Sequence, residues 1–265
     1  MRSKALSFAL YVVAAMIGIL ALAYPFLIVA FAPLGIGDGS ASTTATPLLT
    51  TLLVSLCLAV LLVELQGQAA GAKTVAALGI MVAATSTLRF IEVGIPGPGG
   101  FSPIFAPIIL GGYVFGARFG FLLGAMTMLV SAVITAGVGP WLPYQMFTAG
   151  WIGLTAGLLP HPSHGRAEIF LLIAFAFVWG FFYGAIMNLY TWPYFSGDAT
   201  TTWAAGIGVG DSIRRYAAFY LTTSLVWDSA AALGNVILMA AFGLPTVRAL
   251  TRFHGRMQYQ AWQAS

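Results

Sequence analysis

Residues 101–160 read FSPIFAPIILGGYVFGARFGFLLGAMTMLVSAVITAGVGPWLPYQMFTAGWIGLTAGLLP. These sixty residues contain no Asp, Glu or Lys and a single Arg, Arg118. Residues 119–136 form a run long enough to cross a bilayer, which needs about 20 apolar residues. A single helix through both halves of the stretch would be far longer than that. We therefore predict a helical hairpin with its break at 115–120, where Arg118 reaches water or headgroups, followed after a short loop by another helix.

Small residues recur at four-residue intervals along this stretch. Glycines stand at positions 112, 116, 120 and 124, and again at 153 and 157. Lipid tails are as apolar as leucine, so helices in a bilayer associate through close backbone approach, which this spacing allows. The pattern predicts tight packing of a polytopic membrane protein. A surface that slides on a partner or encloses a ligand is the second interpretation of the same residues.

The composition excludes a soluble globular domain. Sixty per cent of the residues are hydrophobic and 7% are charged, whereas soluble domains carry about 25% charge. The one cysteine, Cys57, excludes an internal disulfide or a cysteine-based metal cluster. We predict an all-α, polytopic integral membrane bundle of about eight transmembrane helices. Its expected parts are a two-helix extension in residues 1–72, a six-helix core in 73–246 and a basic cytoplasmic tail in 247–265.

Basic residues predict the orientation in the membrane. With eight spans and a cytoplasmic N-terminus, both termini lie inside. The 11 Lys and Arg residues then divide eight against three, the inner ones being Arg2, Lys4, Lys73, Arg118, Arg166, Arg248, Arg252 and Arg256. The outer ends hold Arg89, Arg214 and Arg215. This asymmetry is the positive-inside pattern, so the net charge of +4 reflects topology and not nucleic-acid binding.

Sequence signatures of catalysis are missing. The chain has no G-x-x-x-x-G-K-[ST], no H-E-x-x-H and no G-x-S-x-G, which are the marks of ATP binding, zinc proteases and serine hydrolases. The three histidines, at positions 161, 164 and 254, lie in predicted inner loops. We therefore expect no enzyme activity, no cofactor and no metal.

Polar groups inside the membrane are the functional candidates, because burying them in lipid is costly. The last span, expected over residues 216–244, carries Asp228 near mid-depth and Asn235 on the same face. Arg89 and Glu92 share a face at the outer end of the third span. The remaining candidates lie at the outer ends of other spans: Trp141, Tyr144, Gln145, Asn188, Tyr190, Trp192 and Arg215. An aromatic belt with one internal ion pair explains any single residue, but an outward-facing ligand pocket explains the set.

Residues 101–120 (FSPIFAPIILGGYVFGARFG) and 137–146 (GVGPWLPYQM) carry a family likeness. They resemble the substrate-binding S components of energy-coupling factor (ECF) vitamin transporters, and the likeness extends over about residues 73–244. It implies a vitamin-binding subunit in the cell membrane of a prokaryote, associated with a membrane T protein and two cytoplasmic ATPases. The loop Gly-Pro-Trp-x-Pro-Tyr-Gln is most similar to the branch assigned to cobalamin and related cofactors.

The resemblance also implies binding positions. The ligand site would be built from residues 89–101, which adds Phe101 to the candidates, and from 141–145, 188–194 and 211–215. Small residues on the first core helix would dock to the T protein, with two overlapping choices, Ala72/Ala76 and Gly79/Ala83. The N-terminal helical pair is a departure from the six-helix pattern, and its role stays open.

Two other functions fit parts of the sequence. A structural or assembly membrane protein would use the glycine-lined faces to hold partner helices. A proton-coupled secondary transporter would depend on Asp228 alone, and we see no convincing inverted repeat, which such transporters often contain.

Overall fold

The computed structural model describes residues 12–13, 16–20, 22–23, 25–27, 72–95, 101–204 and 207–258. Every regular element within the described ranges 72–95, 101–204 and 207–258 is helical, as predicted. The helices are α1 (Ala72–Gly94), α2 (Phe105–Phe115), α3 (Ala117–Ile134), α4 (Leu142–Ala156), α5 (Gly165–Thr191), α6 (Val209–Thr223), α7 (Leu225–Leu238) and α8 (Leu244–Gln258). A 3₁₀ turn, Trp192–Tyr194, follows α5, and a π-helical turn, Met239–Gly243, joins α7 to α8.

The predicted hairpin break is confirmed at Gly116. This residue separates α2 from α3 with φ 93°, a backbone conformation that side chains with a Cβ rarely adopt. Its N–H donates to Gly112 O at 2.8 Å and so closes the end of α2. With 11 residues, α2 is only about 16 Å long, too short to cross a bilayer by itself.

Glycines bring α3 and α4 into backbone contact. A Cβ added to Gly120 would lie 2.1 Å from Gly153 O, and a Cβ on Gly124 would lie 2.1 Å from Ala149 O. Gly112 of α2 approaches the same Gly153 carbonyl, so three helices meet at one point. The prediction of tight packing through spaced glycines is therefore confirmed, and the glycines concerned face the interior of the bundle.

A second close contact joins α5 to α7. A Cβ on Gly180 would lie 2.5 Å from the Cα of Ala232. Asn235 is buried and its side-chain N–H donates to Ala176 O at 3.5 Å. Asp228 lies one turn further along the pair, with its carboxylate directly over Gly184. Asp228 and Asn235 thus share the face of α7 that meets α5, as their spacing predicts.

The prediction of one helix over residues 216–244 is wrong at both ends. The helix breaks at Ser224, whose φ is −125°, so Asp228 lies in the first turn of α7 and not near mid-depth. The hydroxyls of Thr222 and Thr223 donate to backbone carbonyls four residues back, at 2.8 and 2.7 Å. Such bonds compete with helix continuation. At the other end, the helix runs through Pro245, because the wider π turn before it accommodates the missing N–H.

Among the described residues, four helices are long and apolar enough to cross a membrane: Ala72–Gly94, Ala117–Ile134, Gly165–Tyr194 and Leu225–Met257. The expected count of eight is not established, and the second predicted span lies outside the described residues. Of the first predicted span, Gly18 lies against the Trp151 ring of α4. Phe26 lies between Trp192 and Tyr216, at ring-centroid distances of 5.6 and 5.9 Å.

The Gly120–Gly153 contact predicts a steep cost for any added side chain. We expect Gly153→Ala to lower the free energy of unfolding by about 1–3 kcal/mol, the usual cost of overpacking. Gly210→Ala is the matched control, because no atom lies within 4 Å of its added Cβ. Thermal unfolding of both variants in detergent provides the measurement. Equal midpoints would contradict the proposed packing.

Candidate functional site

The candidate residues gather at one end of the bundle, which we call the upper end. Here α1, α3 and α5 finish, and α4 and α7 begin. Contacts tie these helix ends together: the Tyr144 ring of α4 lies 4.7 Å from the Tyr190 ring of α5. The Asn188 amide of α5 donates to Ser224 Oγ, just before α7, at 2.7 Å.

A cavity of about 240 Å³ opens at the upper end between α1, α3 and the start of α4. Three of the predicted site residues line it: Arg89, Trp141 and Gln145. The other lining residues are Val93, Met128, Ser131, Ala132, Thr135 and Gly137. The cavity therefore combines one cation, an indole ring, an amide and two hydroxyls with an apolar wall.

Arg89 forms an ion pair with Glu92. Nη1 of Arg89 lies 3.8 Å from Oε1 of Glu92, which is too long for a hydrogen bond. The other carboxylate oxygen, Oε2, accepts a hydrogen bond from the Ser102 hydroxyl. Glu92 is not among the residues lining the cavity. Within the described part of the chain, the Arg89 guanidinium makes no hydrogen bond and stays available to a ligand.

Trp141 and Gln145 form the opposite wall. The Trp141 ring packs on the backbone of Gly139, where an added Cβ would lie 2.5 Å from it. Its Nε1–H donates to Gly137 O at 3.2 Å, which orients the ring. The side chain remains 42% exposed, so the ring can contact a ligand. The side-chain amide of Gln145, one helical turn further along α4, makes no hydrogen bond to the described residues.

The hydroxyls of Ser131 and Thr135 were not predicted as site residues. Ser131 Oγ donates to Met128 O at 3.1 Å and Thr135 Oγ1 donates to Ser131 O at 2.8 Å. Both oxygens therefore keep free lone pairs as acceptors. In sequence these residues look like ordinary members of an apolar span. Their spacing of four, which puts them on one face of α3, was the available signal.

A buried aromatic cluster lies at the upper end. Trp192 is fully buried, and its Nε1–H donates to Thr201 O at 2.8 Å. Tyr216 packs edge-on against it at 5.2 Å. Tyr144 is also buried, against Tyr190. None of Trp192, Tyr144 and Tyr190 lines the cavity. These three predicted residues make contacts within the fold instead.

The remaining predicted site residues make contacts within the fold. Phe101 packs on α7, where a Cβ on Gly234 would lie 2.1 Å from its ring. Arg215 donates to Thr202 O at 3.3 Å. Asp228 and Asn188 lie at the α5–α7 interface. The structure thus does not bring Phe101, Arg215, Asp228 or Asn188 to the cavity.

The loop beyond the 3₁₀ turn is tied down by Asp198. Its carboxylate accepts hydrogen bonds from the Thr200 hydroxyl and N–H, each at 2.7 Å. These bonds hold the pKa of Asp198 below its usual value. Trp203 in the same loop donates to Pro25 O at 3.0 Å, so the first predicted span also fastens this loop.

The first half of α1, below the residues that line the cavity, carries the predicted docking residues. Ala72, Ala76, Gly79 and Ala83 are all exposed and lie on one side of the helix. An apolar groove of about 340 Å³ runs beside them between α1 and α3. Its walls include Gly79 and Ala83 from α1 and Leu122 and Met126 from α3.

The fold and the cavity define a helical membrane protein with room for a small ligand at one end. The family model for the substrate-specific component of ECF transporters matches residues 73–242, more than half of the chain. The chain belongs to this family. Its members are membrane-protein subunits of importers and not enzymes, and they bind a small-molecule substrate and associate with an ECF T and ATPase module.

No curated protein and no solved structure matches the chain. The family model does not specify which substrate its members bind. The likeness to the cobalamin branch therefore stays a prediction. Residues 1–72 lie outside the matched range.

The two tryptophans at the upper end predict losses of stability of different size on truncation. Trp192→Ala removes a fully buried ring and its hydrogen bond, so we expect it to lower the free energy of unfolding by about 3–5 kcal/mol. Trp141→Ala removes a ring that is 42% exposed and should cost much less. Thermal unfolding without ligand measures both. A similar loss in the two variants would contradict a structural role confined to Trp192.

Proposed function

We propose that this chain captures a vitamin or a related micronutrient at the outer face of a prokaryotic cell membrane, as the substrate-binding subunit of an ECF importer. The observation that carries the proposal is the cavity lined by Arg89, Trp141 and Gln145. It combines a cation whose guanidinium makes no hydrogen bond to the described residues, an exposed ring and a side-chain amide, which is the mixture that small organic ligands require. The positive-inside pattern supports an upper end that faces outward and termini that face the cytoplasm.

We further propose that the exposed face of α1 docks to the T protein. Small side chains at Ala72, Ala76, Gly79 and Ala83 would let a partner helix approach the backbone closely. The groove beside them has room for larger apolar side chains of that helix. ATP would be hydrolysed by the two cytoplasmic ATPases.

The two other functions have less support. An assembly protein would present its glycines to a partner, but Gly112, Gly120, Gly124 and Gly153 pack against backbone within the bundle. A proton-coupled transporter would need Asp228 on a transport path. Its carboxylate instead lies against Gly184, at the start of α7.

Ligand binding provides the first test. A ligand at 100 times its Kd should add about 2.7 kcal/mol of stability if it binds only the folded protein. We expect one compound of a vitamin panel to raise the Tm of the purified protein, and Trp141→Ala and Gln145→Ala to lose that increase. Trp227→Ala is the matched control, because this tryptophan of α7 is 59% exposed and is not among the residues that line the cavity. Absence of saturable binding to any compound would refute the proposal.

Docking has a separate test. Gly79→Leu should leave the subunit folded, since no atom lies within 4 Å of a Cβ at this position. It should abolish co-purification with coexpressed T and ATPase subunits while ligand binding persists. Ala84→Leu is the control, since Ala84 is also exposed but lies about 100° further round the helix than Ala83. Normal assembly of the Gly79→Leu variant would exclude this face as the docking surface.

A further inference from the structure

The charge pattern of the cavity restricts its ligand, provided that the proposed function holds. Arg89 is the one charged side chain among the described residues that line the cavity. Its counter-ion Glu92 lies 3.8 Å from it, does not line the cavity, and accepts a hydrogen bond from the Ser102 hydroxyl through its other oxygen. A ligand therefore meets one positive charge and no negative charge at the wall.

The size of the cavity restricts the ligand further. Its volume of about 240 Å³ is below the range of roughly 300–1,000 Å³ that is usual for drug-sized ligands. A corrinoid, whose macrocycle contains four five-membered rings, does not fit in about 240 Å³. The space suits a molecule of one or two small rings, or a short branched chain.

From these two restrictions we propose that the substrate is a small monocarboxylate whose carboxyl group binds Arg89. The guanidinium presents paired N–H donors that match a carboxylate in a bidentate arrangement. A phosphate would bring about two negative charges to a site with one cation. A cationic substrate would face Arg89 without a lining carboxylate to offset the repulsion.

The rest of the wall recognises the body of the molecule. The free face of Trp141 offers a surface for a ring or an aliphatic chain. The Gln145 amide offers a donor and an acceptor, and Ser131 and Thr135 offer acceptors. A polar amide or hydroxyl group at the end opposite the carboxylate therefore fits this cavity.

The test compares acids with neutral counterparts on the unmodified full-length protein in detergent. The panel pairs biotin with its methyl ester, nicotinic acid with nicotinamide, and pantothenate with pantothenol, and adds thiamine, riboflavin and cobalamin. We expect one acid to bind, and its neutral partner to bind at least about tenfold more weakly, as loss of a charge-assisted hydrogen bond implies. Isothermal titration gives the Kd values.

Variants connect the preference to one side chain. Arg89→Gln should remove the difference between acid and neutral partner, and Arg89→Lys should retain part of it, because it keeps the charge without the bidentate geometry. Arg214→Gln is the control, since Arg214 is 83% exposed and paired with Asp211 at 3.2 Å.

The outcomes separate this inference from the proposed function. Equal affinity for an acid and its neutral partner would contradict the proposal that the substrate is a monocarboxylate. Binding of thiamine, riboflavin or cobalamin instead would contradict it too. Either result would remain consistent with the proposed function as an importer subunit. Retention of the acid preference in a folded Arg89→Gln variant would overturn the role of Arg89. Absence of binding by every compound would remove the proposed function and this inference with it.

Discussion

The contact between the backbones of α3 and α4 at Gly120 and Gly153 is the constraint on which the upper end depends. Two helices that touch at a shared glycine surface are held at a fixed separation and crossing, because no side chain can rearrange between them. The end of α3 and the start of α4 are therefore held across a short gap. Ser131 and Thr135 line one side of this gap, and Trp141 and Gln145 line the other.

Polar groups at the upper end fall into two sets. Trp192, Asn188 and Arg215 direct their donors to partners within the fold, and these bonds join the 3₁₀ turn, its loop and the start of α7. Arg89 and Gln145 have no such bonds within the described residues. A ligand that bonds to both groups replaces their contacts with water, and a hydrogen bond to a charged group such as Arg89 contributes about 1.5–3 kcal/mol.

The sequence predicted the hairpin break and the packing of the glycines well, because both depend on local rules. Gly116 lies between two apolar runs beside Arg118, and glycines four apart form one stripe on a helix. The last span was misread because hydropathy does not detect the break at Ser224, where Thr222 and Thr223 bond back to their own helix. The sequence also did not predict that the helix continues through Pro245, since a π turn has no reliable sequence signature.

The candidate site was predicted in part. Chain order and alternating spans place Arg89, Trp141 and Gln145 at the same end of the bundle, and the structure brings these three to one cavity. The same reasoning selected Trp192, which lies at that end but makes contacts within the fold. Asp228 was selected as a polar group near the middle of the last span, and it also contacts the fold, at Gly184. Ser131 and Thr135 escaped it, because hydroxyls in an apolar span commonly bond to their own helix.

Composition, charge placement and glycine spacing alone dictate a helical membrane protein, the position of its hairpin and the end of the bundle where polar groups gather. These features follow from hydrophobicity and helical periodicity, which act within short stretches of chain. Which polar groups are used up by the fold, and which face an open cavity, depends on contacts between helices far apart in sequence. Only the tertiary structure decided that Arg89 faces the cavity while Glu92 stands behind it, because the Ser102 hydroxyl, from beyond the end of α1, holds the carboxylate there.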